Sequence, residues 1–440
     1  MTLLDRLFKL KENRTNVRTE ILAGITTFMA MSYIIAANPM ILAAAGMDKG
    51  AVTLATCLAS GLITIAMGLL SNYPIALAPG MGINAYFAYS ICAGMGIDWR
   101  IGLGFFFIEG VIILLVTMTR LREIVIDAIP FSLKCAISAG IGLFLTFIGF
   151  ANAGIIAPHP ATFVTISRFA SPQVWPQVLL ASVGIIITTI LLTRKVKGAI
   201  LIGIAAGTLL SLIPAFRPDG AGLSLLAPSL SPTFFQLDIL GALRWQFAAL
   251  IFTLLFVDFF DTAGTIIGVS VKAKFLDDKG KIPRVGRVLL ADSMGPVVGA
   301  LAGTSTVTSF IESAAGVEEG GRTGLTAVVT GLLFLAAMAA APLVGLVPAA
   351  AVAPALIIVG IMMMEPVLKI DFSDYSEAVP AFITIAAMPF TYSISNGITL
   401  GFLSYVLIKA LTGRARTIAP AMYVLAALGL LFFLISPEFR

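Results

Sequence analysis

Long runs of apolar residues with few charges between them are the feature that most constrains this chain. Hydrophobic residues make up 59% of the 440 residues and charged residues only 12%, and the mean hydropathy is +1.02. A water-soluble domain carries about 25% charged residues, so this chain has more apolar surface than a core of its own could bury. We therefore predict an all-α polytopic membrane protein. The composition excludes soluble enzymes, nucleic-acid-binding proteins, secreted disulfide-rich domains and disordered chains.

The cysteines and the single histidine argue against a disulfide framework and against a metal centre. Cys57, Cys92 and Cys135 lie inside apolar stretches without CxxC spacing, which is typical of small hydrophobic side chains. His159 stands between two prolines in a predicted loop, and one histidine cannot supply a multi-histidine metal site. We expect neither a metal nor another cofactor.

The apolar runs predict fourteen membrane segments in two sets of seven, because each crossing needs roughly 20 apolar residues. A polar, proline-rich stretch at 216–244 separates the two sets, and a further apolar helix is expected at 418–436. The predicted segments lie near 21–44, 51–70, 74–96, 101–118, 131–151, 177–193, 198–215, 245–270, 287–302, 304–316, 323–341, 347–364, 378–394 and 396–411.

The positions of the basic residues test this assignment and predict the orientation. Most of the 28 lysines and arginines fall before the first segment or in alternate loops after it. Because lysine and arginine collect on the cytoplasmic side, we expect a multi-pass protein of the cell membrane with a cytoplasmic N-terminus. The opposite loops hold few basic residues, namely Lys49, Arg100, Arg168, Arg217 and Arg244.

Two homologous halves of seven segments each must enter the membrane from opposite sides, which predicts an inverted repeat. Pro130 precedes Gly142 by the same spacing that separates Pro348 from Gly360. The paired short segments around Gly198 and Gly203 similarly resemble those around Gly397 and Gly401. Chance similarity between two glycine-rich apolar stretches is the alternative, and the charge pattern favours true repeats.

The third and tenth segments, at corresponding positions in the two halves, are predicted to be broken helices. Pro79 removes a backbone donor, and Gly80 and Gly82 weaken the helix around it. The segment at 304–316 is too short to cross as a helix and opens with β-branched and hydroxyl residues, which favour a short extended stretch. Extended backbone at membrane depth has to be buried in protein or line a cavity. A pair of ordinary kinked helices is the alternative.

Carboxylates inside the predicted segments are the main candidates for function. Asp258 and Asp261 share one face of segment eight, Asp292 lies in segment nine, Glu312 in segment ten and Glu109 in segment four. A charged carboxylate at the bilayer centre costs about 2.5–3.5 kcal/mol, so each needs a use or a partner. Asp261 and Glu312 lie nearest the predicted breaks. Proton coupling is the functional interpretation, and hydrogen bonding to helix ends or hydroxyls is the structural alternative for Asp292 and Glu109.

Several motifs, in order along nearly the whole chain, resemble the nucleobase–cation symporter family 2 (nucleobase–ascorbate transporters), and in particular its AzgA-like purine permeases. They begin at Arg18, Ala78, Phe260, Gly303, Ile311 and Gly320, and read RTEILAG, APGMGINA, FDTAGT, GTS, IESAAG and GGRTGLT.

The resemblance implies a function, a division into domains and a set of site residues. The function is proton symport of a purine base, taken up through a protein that pairs with a second copy through its gate domains in the lipid bilayer. The core domain is 1–120 with 245–342, and the gate domain is 121–244 with 343–440. The implied substrate-binding residues are Asp261, Glu312, Asn84, Ala85, Phe310 and Ile311, and the implied proton-coupling residues are Asp261, Glu312, Asp258 and Asp292.

One departure and three rival functions qualify this interpretation. The family's pyrimidine branch has a glutamate followed by histidines in segment eight, whereas Asp261 is followed by Thr262, so the details of proton handling do not transfer.

An anion transporter of the same inverted-repeat fold is the main alternative function, and the acids Asp261 and Glu312 at the predicted site argue against it. An inverted repeat disfavours a channel, and the chain has no GxSxG, HExxH or P-loop motif of an enzyme. The preferred purine and the role of 418–436 stay open.

Overall fold

The structure is a computed structural model that describes residues 3–119, 129–169, 171, 174–216, 229–272, 275 and 283–435. Within these residues, eight helices are long and apolar enough to cross a membrane. They are Val17–Ala43, Lys49–Ser71, Trp99–Thr117, Phe131–Asn152, Trp175–Thr193, Val285–Ala302, Gly324–Leu346 and Ala349–Lys369. The protein is therefore mostly helical, as predicted, while the count of fourteen crossings stays a prediction.

The first half begins with a short N-terminal helix and ends with paired short helices. Its α-helices and strands are α1 (Leu3–Phe8), α2 (Val17–Met31), α3 (Ile34–Ala43), α4 (Lys49–Ser71), β1 (Leu77–Pro79), α5 (Met81–Ala85), α6 (Trp99–Thr117), α7 (Phe131–Asn152), β2 (Ile156–His159), β3 (Phe163–Ile166), α8 (Trp175–Thr193) and α9 (Ala199–Ser211). A π-helix, Tyr86–Gly94, continues directly from α5.

The second half repeats this plan and adds a last helix. Its elements are α10 (Ile239–Ala242), α11 (Ala248–Lys272), α12 (Val285–Ala302), β4 (Val307–Ser309), α13 (Ser313–Glu318), α14 (Gly324–Ala337), α15 (Ala349–Met364), α16 (Tyr375–Thr391), α17 (Ile394–Leu411) and α18 (Pro420–Ile435). The helix predicted at 418–436 is thus α18.

Both predicted breaks are present. Segment three consists of β1, α5 and the π-helix, and segment ten consists of β4 and α13. The two strands pair antiparallel, so the two broken segments run in opposite directions, as an inverted repeat requires.

One expectation from the sequence was wrong: His159 does not lie in an irregular loop but ends strand β2, which pairs with β3. The first segment is present as the helical span Val17–Ala43, with a break between Met31 and Ile34. After this break the Ile35 N–H bonds the Ser32 carbonyl at 3.1 Å, and Pro39 has no N–H to offer the Ile35 carbonyl.

Close contacts between glycines show where the two halves meet. A side chain built on Gly142 of α7 would lie 2.5 Å from the Gly360 carbonyl, and one built on Gly360 of α15 would lie 2.5 Å from the Gly142 carbonyl. The two helices therefore cross at the two glycines whose matching distance from a proline predicted the repeat. Only glycine permits this approach of two backbones.

The short helix pairs repeat the same contact. Gly203 of α9 lies against the Thr188 hydroxyl of α8, and Gly401 of α17 lies against the Thr384 hydroxyl of α16, each with a built Cβ at 1.9 Å from that oxygen. The matching pair of contacts confirms the resemblance of these segments.

A third crossing, between α4 and α14, generates a test of the packing. A Cβ on Gly324 would lie 1.9 Å from the Gly68 carbonyl, whereas one on Gly286 would meet nothing within 4 Å. We expect Gly324→Ala to force the two backbones apart and to destabilise the fold by about 1–3 kcal/mol, the usual range for overpacking. The thermal unfolding midpoint of the purified protein measures this. Gly286→Ala is the control, and an equal midpoint for both variants would contradict the described crossing.

Candidate functional site

The two broken segments meet as a two-stranded antiparallel ladder inside the protein. Leu77 lies opposite Ser309, and Pro79 lies opposite Val307, with every residue of both strands buried. Extended backbone inside a membrane protein needs partners for its N–H and C=O groups. Each strand supplies hydrogen-bond partners to the backbone of the other. A short sheet can therefore replace a helix here without leaving buried backbone groups unpaired.

Side chains and backbone groups around the ladder hold its ends. The Thr64 hydroxyl bonds both the N–H and the carbonyl of Leu77, at 2.9 and 3.0 Å. The Phe310 N–H donates to the Ala76 carbonyl at 3.0 Å, and the Ala76 N–H donates to the Ser313 hydroxyl at 2.9 Å. The start of α13 is therefore attached directly to the residue that precedes β1.

Asp292 of α12 supports the outer side of β4. Its Oδ1 accepts from the Ser309 N–H at 3.1 Å and from the Ser309 hydroxyl at 2.7 Å, while its Oδ2 accepts from the Thr262 hydroxyl at 2.8 Å. The Thr262 and Thr308 hydroxyls lie 2.9 Å apart, which ties α11 to the same strand. Asp292 is 1% exposed, and these donors compensate its burial as a carboxylate.

Asn84 belongs to a second buried network, on the other side of the ladder. Its Nδ2 donates to Asn38 Oδ1 at 2.6 Å, and its Oδ1 accepts from the Ser305 hydroxyl at 2.5 Å. Asn38 in turn donates to the hydroxyls of Thr56 and Thr304, both at 2.8 Å. Asn84 and the adjacent Ala85 are fully buried, so in this conformation they form the wall behind the ladder.

Glu312 presents its carboxylate at the end of β4, where the chain turns into α13. Its Oε1 accepts a hydrogen bond of 2.7 Å from the Tyr33 hydroxyl, which lies at the break between α2 and α3. Glu312 is partly exposed and Ile311 is 42% exposed, while Phe310 is 7% exposed. This turn therefore exposes Ile311 and part of the Glu312 side chain, while the adjacent Phe310 ring is buried.

The two aspartates of α11 are in different situations. The backbone of Asp261 lies in α11, but its side chain lies outside the described residues. Asp258, one turn earlier, is buried and interacts electrostatically with Glu109 of α6. Of the predicted site residues, the structure thus gathers Asn84, Ala85, Asp292, Phe310, Ile311 and Glu312 around the ladder.

Several residues that build the site were not identified from the sequence. Tyr33 and Asn38 lie in an apolar segment in which only Pro39 signalled an irregularity. Glu20 is fully buried at the start of the same segment. A polar side chain within an apolar run was the available signal for these residues. It did not identify their hydrogen-bond partners, which lie far away in sequence.

Glu20 and Arg322 fix α13 and the segment that follows it. The Glu20 carboxylate accepts from the backbone N–H groups of Arg322, Thr323 and Thr326 and from the Thr326 hydroxyl, at 2.6–3.3 Å. The Arg322 guanidinium donates to the carbonyls of Val317 and Gly321 at 2.7 and 2.8 Å, which caps the last turn of α13. Two of the motifs that carried the resemblance therefore hold the half-helix next to Glu312.

In chemical terms the site offers acceptors, hydroxyls and backbone groups. Its described hydrogen-bond partners around the ladder are acidic, amide or hydroxyl side chains and the backbone. Within the described part of the chain, no group of three or more His, Cys, Asp or Glu side chains could hold a metal ion. Such a site suits an uncharged polar molecule that both donates and accepts hydrogen bonds.

Removing the Asp292 carboxylate tests how far the ladder depends on it. Asp292→Ala leaves the buried Ser309 N–H and hydroxyl without their acceptor, so we expect a loss of about 3 kcal/mol of stability. Asp98→Ala is the control, because Asp98 caps α6 and pairs with Arg100 at an exposed position, and loss of such a cap costs about 1 kcal/mol. Thermal unfolding midpoints measure both. A loss for Asp292→Ala no greater than for Asp98→Ala would contradict this role.

The fold is similar to that of a solved membrane transporter. The transmembrane domain of the cyanobacterial bicarbonate transporter BicA superposes with a TM-score of 0.66, covering 87% of this chain and 97% of that one at 16% sequence identity. At this identity the likeness concerns the fold alone, and it agrees with the inverted repeat of the two halves.

Sequence comparisons give a more specific relationship. The chain is 44% identical over 429 residues to the adenine permease AdeP of Escherichia coli, covering 98% of this chain and 95% of that protein. It is also 44% identical over 442 residues to the guanine/hypoxanthine permease PbuG of Bacillus subtilis, covering 98% and 99%. Residues 18–400 match the model of the permease family Xan_ur_permease. The chain therefore belongs to this permease family, the nucleobase–ascorbate transporters that its motifs resemble, and is a multi-pass membrane protein.

Proposed function

We propose that this protein is a secondary transporter that imports purine nucleobases together with protons across the cell membrane, with its N-terminus in the cytoplasm. The observation that carries the proposal is Glu312, an accessible carboxylate at the end of a buried two-stranded ladder. The permeases of Escherichia coli and Bacillus subtilis described above are named for adenine, guanine and hypoxanthine.

The chemistry of a purine fits this site. A purine is a flat, uncharged ring whose edges carry both donors and acceptors. The carboxylates of Glu312 and Asp261 can accept ring N–H groups, the backbone beside Ile311 can meet ring nitrogens, and the Phe310 ring can stack on the base. Asn84 and Ala85 close the wall behind it. A site that satisfies these edges rejects analogues that lack them, because buried polar groups would be left unpaired.

Transport then follows from relative motion of a core domain (1–120 and 245–342) and a gate domain (121–244 and 343–440). Few described hydrogen bonds bridge these two groups. The Ser90 hydroxyl donates to the Tyr392 carbonyl at 2.6 Å, and Asn152 donates to the Tyr89 hydroxyl at 3.1 Å. Two backbone bonds join the groups as well, from the Phe235 N–H to the Leu301 carbonyl at 3.0 Å and from the Asp238 N–H to the Arg100 carbonyl at 2.8 Å. At the opposite ends of the helices, Lys197 forms a 2.8 Å ion pair with Glu319.

These bridges are the contacts that alternating access has to break and remake. The partly exposed Lys197–Glu319 pair costs little to open, since exposed ion pairs contribute about 0–1 kcal/mol. The gate domain is also the surface that we expect to pair with a second copy in the bilayer.

Coupling to protons follows from the need for neutrality in transit. Moving one charge through the membrane potential involves about 2.3 kcal/mol per 100 mV. A proton that neutralises an acid of the core domain lets an uncharged purine and its site move without that penalty, and the proton gradient then drives accumulation.

An anion transporter of the same fold is the second candidate, because a bicarbonate transporter shares the architecture. The acids of this site repel anions, and the described contacts around the ladder bring no lysine or arginine to it. Uptake of bicarbonate without competition by purines would favour this candidate.

The function is tested by uptake into proteoliposomes that contain the purified protein. We expect labelled adenine or hypoxanthine to accumulate when the outside is acidic and to stop accumulating when an ionophore collapses the proton gradient. A panel of unlabelled bases in competition identifies the preferred purine. Accumulation that ignores the ionophore would contradict proton coupling, and absence of purine uptake would contradict the substrate class.

The two proposed site acids generate a second test. Asp261→Asn and Glu312→Gln keep the size of the side chains and remove the charge. We expect purine uptake to fall by about 10- to 150-fold, because each loses charge-assisted hydrogen bonds worth about 1.5–3 kcal/mol. Membrane abundance should stay normal. Glu365→Gln is the control, since Glu365 is exposed at the end of α15. Uptake by either site variant at the original rate would contradict the site assignment.

A further inference from the structure

Glu109 is a buried acid that the proposed purine site does not use. It lies in the middle of α6, is fully buried, and neither of its carboxyl oxygens has a hydrogen-bond partner among the described residues. An unsatisfied carboxyl group inside a membrane protein is costly in its charged form. A neighbouring group or a bound proton therefore has to compensate the burial of the Glu109 carboxyl group.

The other buried carboxyl groups differ from Glu109 in their donors. Glu20 accepts from backbone N–H groups and a hydroxyl, and Asp292 accepts from one N–H and two hydroxyls. Glu312 accepts from the Tyr33 hydroxyl and is partly exposed. Donors stabilise a carboxylate, so the burial of Glu20 and Asp292 is compensated by hydrogen bonds. Glu109 has no such support and is built to hold a proton.

Asp258 is the second buried carboxyl group that interacts with Glu109. It is 1% exposed on α11, which packs against α6, and its charge interacts with that of Glu109. Two carboxylates in such surroundings repel each other strongly when both are ionised. One proton removes the repulsion and provides a donor for the remaining carboxylate, as in other paired acids.

The neighbouring elements bring other titratable and charged groups to α6, and none of them replaces this proton. Asp292 is held by its own donors, Asp98 and Arg100 bond each other at the exposed end of α6, and Asp238 caps α10. The groups on the elements packed against α6, and on α6 itself, are Asp258, Asp261 and Lys272 on α11, Asp292 and Arg287 on α12, Asp238 before α10, Tyr86, Tyr89 and Cys92 in the π-helix, Asp98 at the start of α6 and Arg100 on α6.

We propose that Glu109 and Asp258 share one proton and that this pair is the binding place of the co-transported proton. The inference rests on the proposed function and assigns the proton to a place separate from the purine. Asp258 lies three residues before Asp261 on the same face of α11. The same helix therefore holds the proton at Asp258 and the predicted purine contact at Asp261, about one turn later. In each cycle the pair takes up one proton from one side of the membrane and releases it to the other.

Glu109→Gln separates proton coupling from purine binding. It keeps the shape of the side chain but cannot exchange a proton, and Glu109 is not among the proposed purine-binding residues. We expect exchange of labelled for unlabelled adenine to stay within about twofold of the wild type, while a pH gradient of one unit, which can drive about tenfold accumulation per proton, drives none. Glu365→Gln, the exposed control, should retain both.

Proton uptake on purine binding gives a second readout. Detergent-purified wild type should take up a proton when adenine is added, as measured with a pH indicator in weak buffer, and Glu109→Gln should not. If Glu109→Gln is not recovered as folded protein, Asp258→Asn is expected to show the same separation of exchange from accumulation.

The outcomes distinguish this inference from the proposed function. Gradient-driven accumulation by Glu109→Gln at the wild-type level, or loss of exchange along with accumulation in a folded variant, would overturn the shared proton. Failure of the wild type itself to accumulate purine under a proton gradient would instead overturn the proposed function.

Discussion

The structure depends on one pairing: two short extended stretches inside the membrane protein that satisfy each other's backbone. Neither β1 nor β4 could exist alone at this depth, because an unpaired N–H or carbonyl in an apolar environment costs several kcal/mol. Their antiparallel register, Leu77 with Ser309 and Pro79 with Val307, joins the two halves at the point where both chains reverse into helices. The accessible turn at Ile311 and Glu312 exists because β4 ends there.

Hydrogen-bond donors sort the buried acids into different roles. Asp292 is surrounded by donors and holds the ladder, and Glu20 does the same for the segment that follows α13. Glu312 accepts from the Tyr33 hydroxyl and from its own backbone N–H, which is fewer donors than Asp292 or Glu20 has. Glu109 has no described donor of its own and interacts with Asp258 instead. Identical functional groups thus differ in their hydrogen-bond partners, and these differences are the basis of the structural, recognition and proton-binding roles that we propose for them.

Sequence reasoning predicted the breaks and the repeat, because both leave local signals. Pro79 and its neighbouring glycines predicted the first break, and the shortness of 304–316 predicted the second. Equal spacing from a proline identified Gly142 and Gly360 as corresponding positions of the repeat, and their contact was found only in the structure. Tyr33 and the role of Glu20 were not predictable in this way. The Glu20 carboxylate meets Thr326 across 306 positions of sequence, and Tyr33 reaches Glu312 across 279. Only the folded arrangement of helices brings such residues together, so spacing along the chain carries no record of them.

The location of bound purine is the measurement that tests this account most directly. A cryo-electron microscopy structure of the protein with adenine should show the base at the end of the ladder, with a ring N–H about 3 Å from the Glu312 carboxylate and the ring beside Phe310. Adenine bound elsewhere, with Glu312 still bonded only to Tyr33, would contradict the claim that the paired broken segments form the purine site.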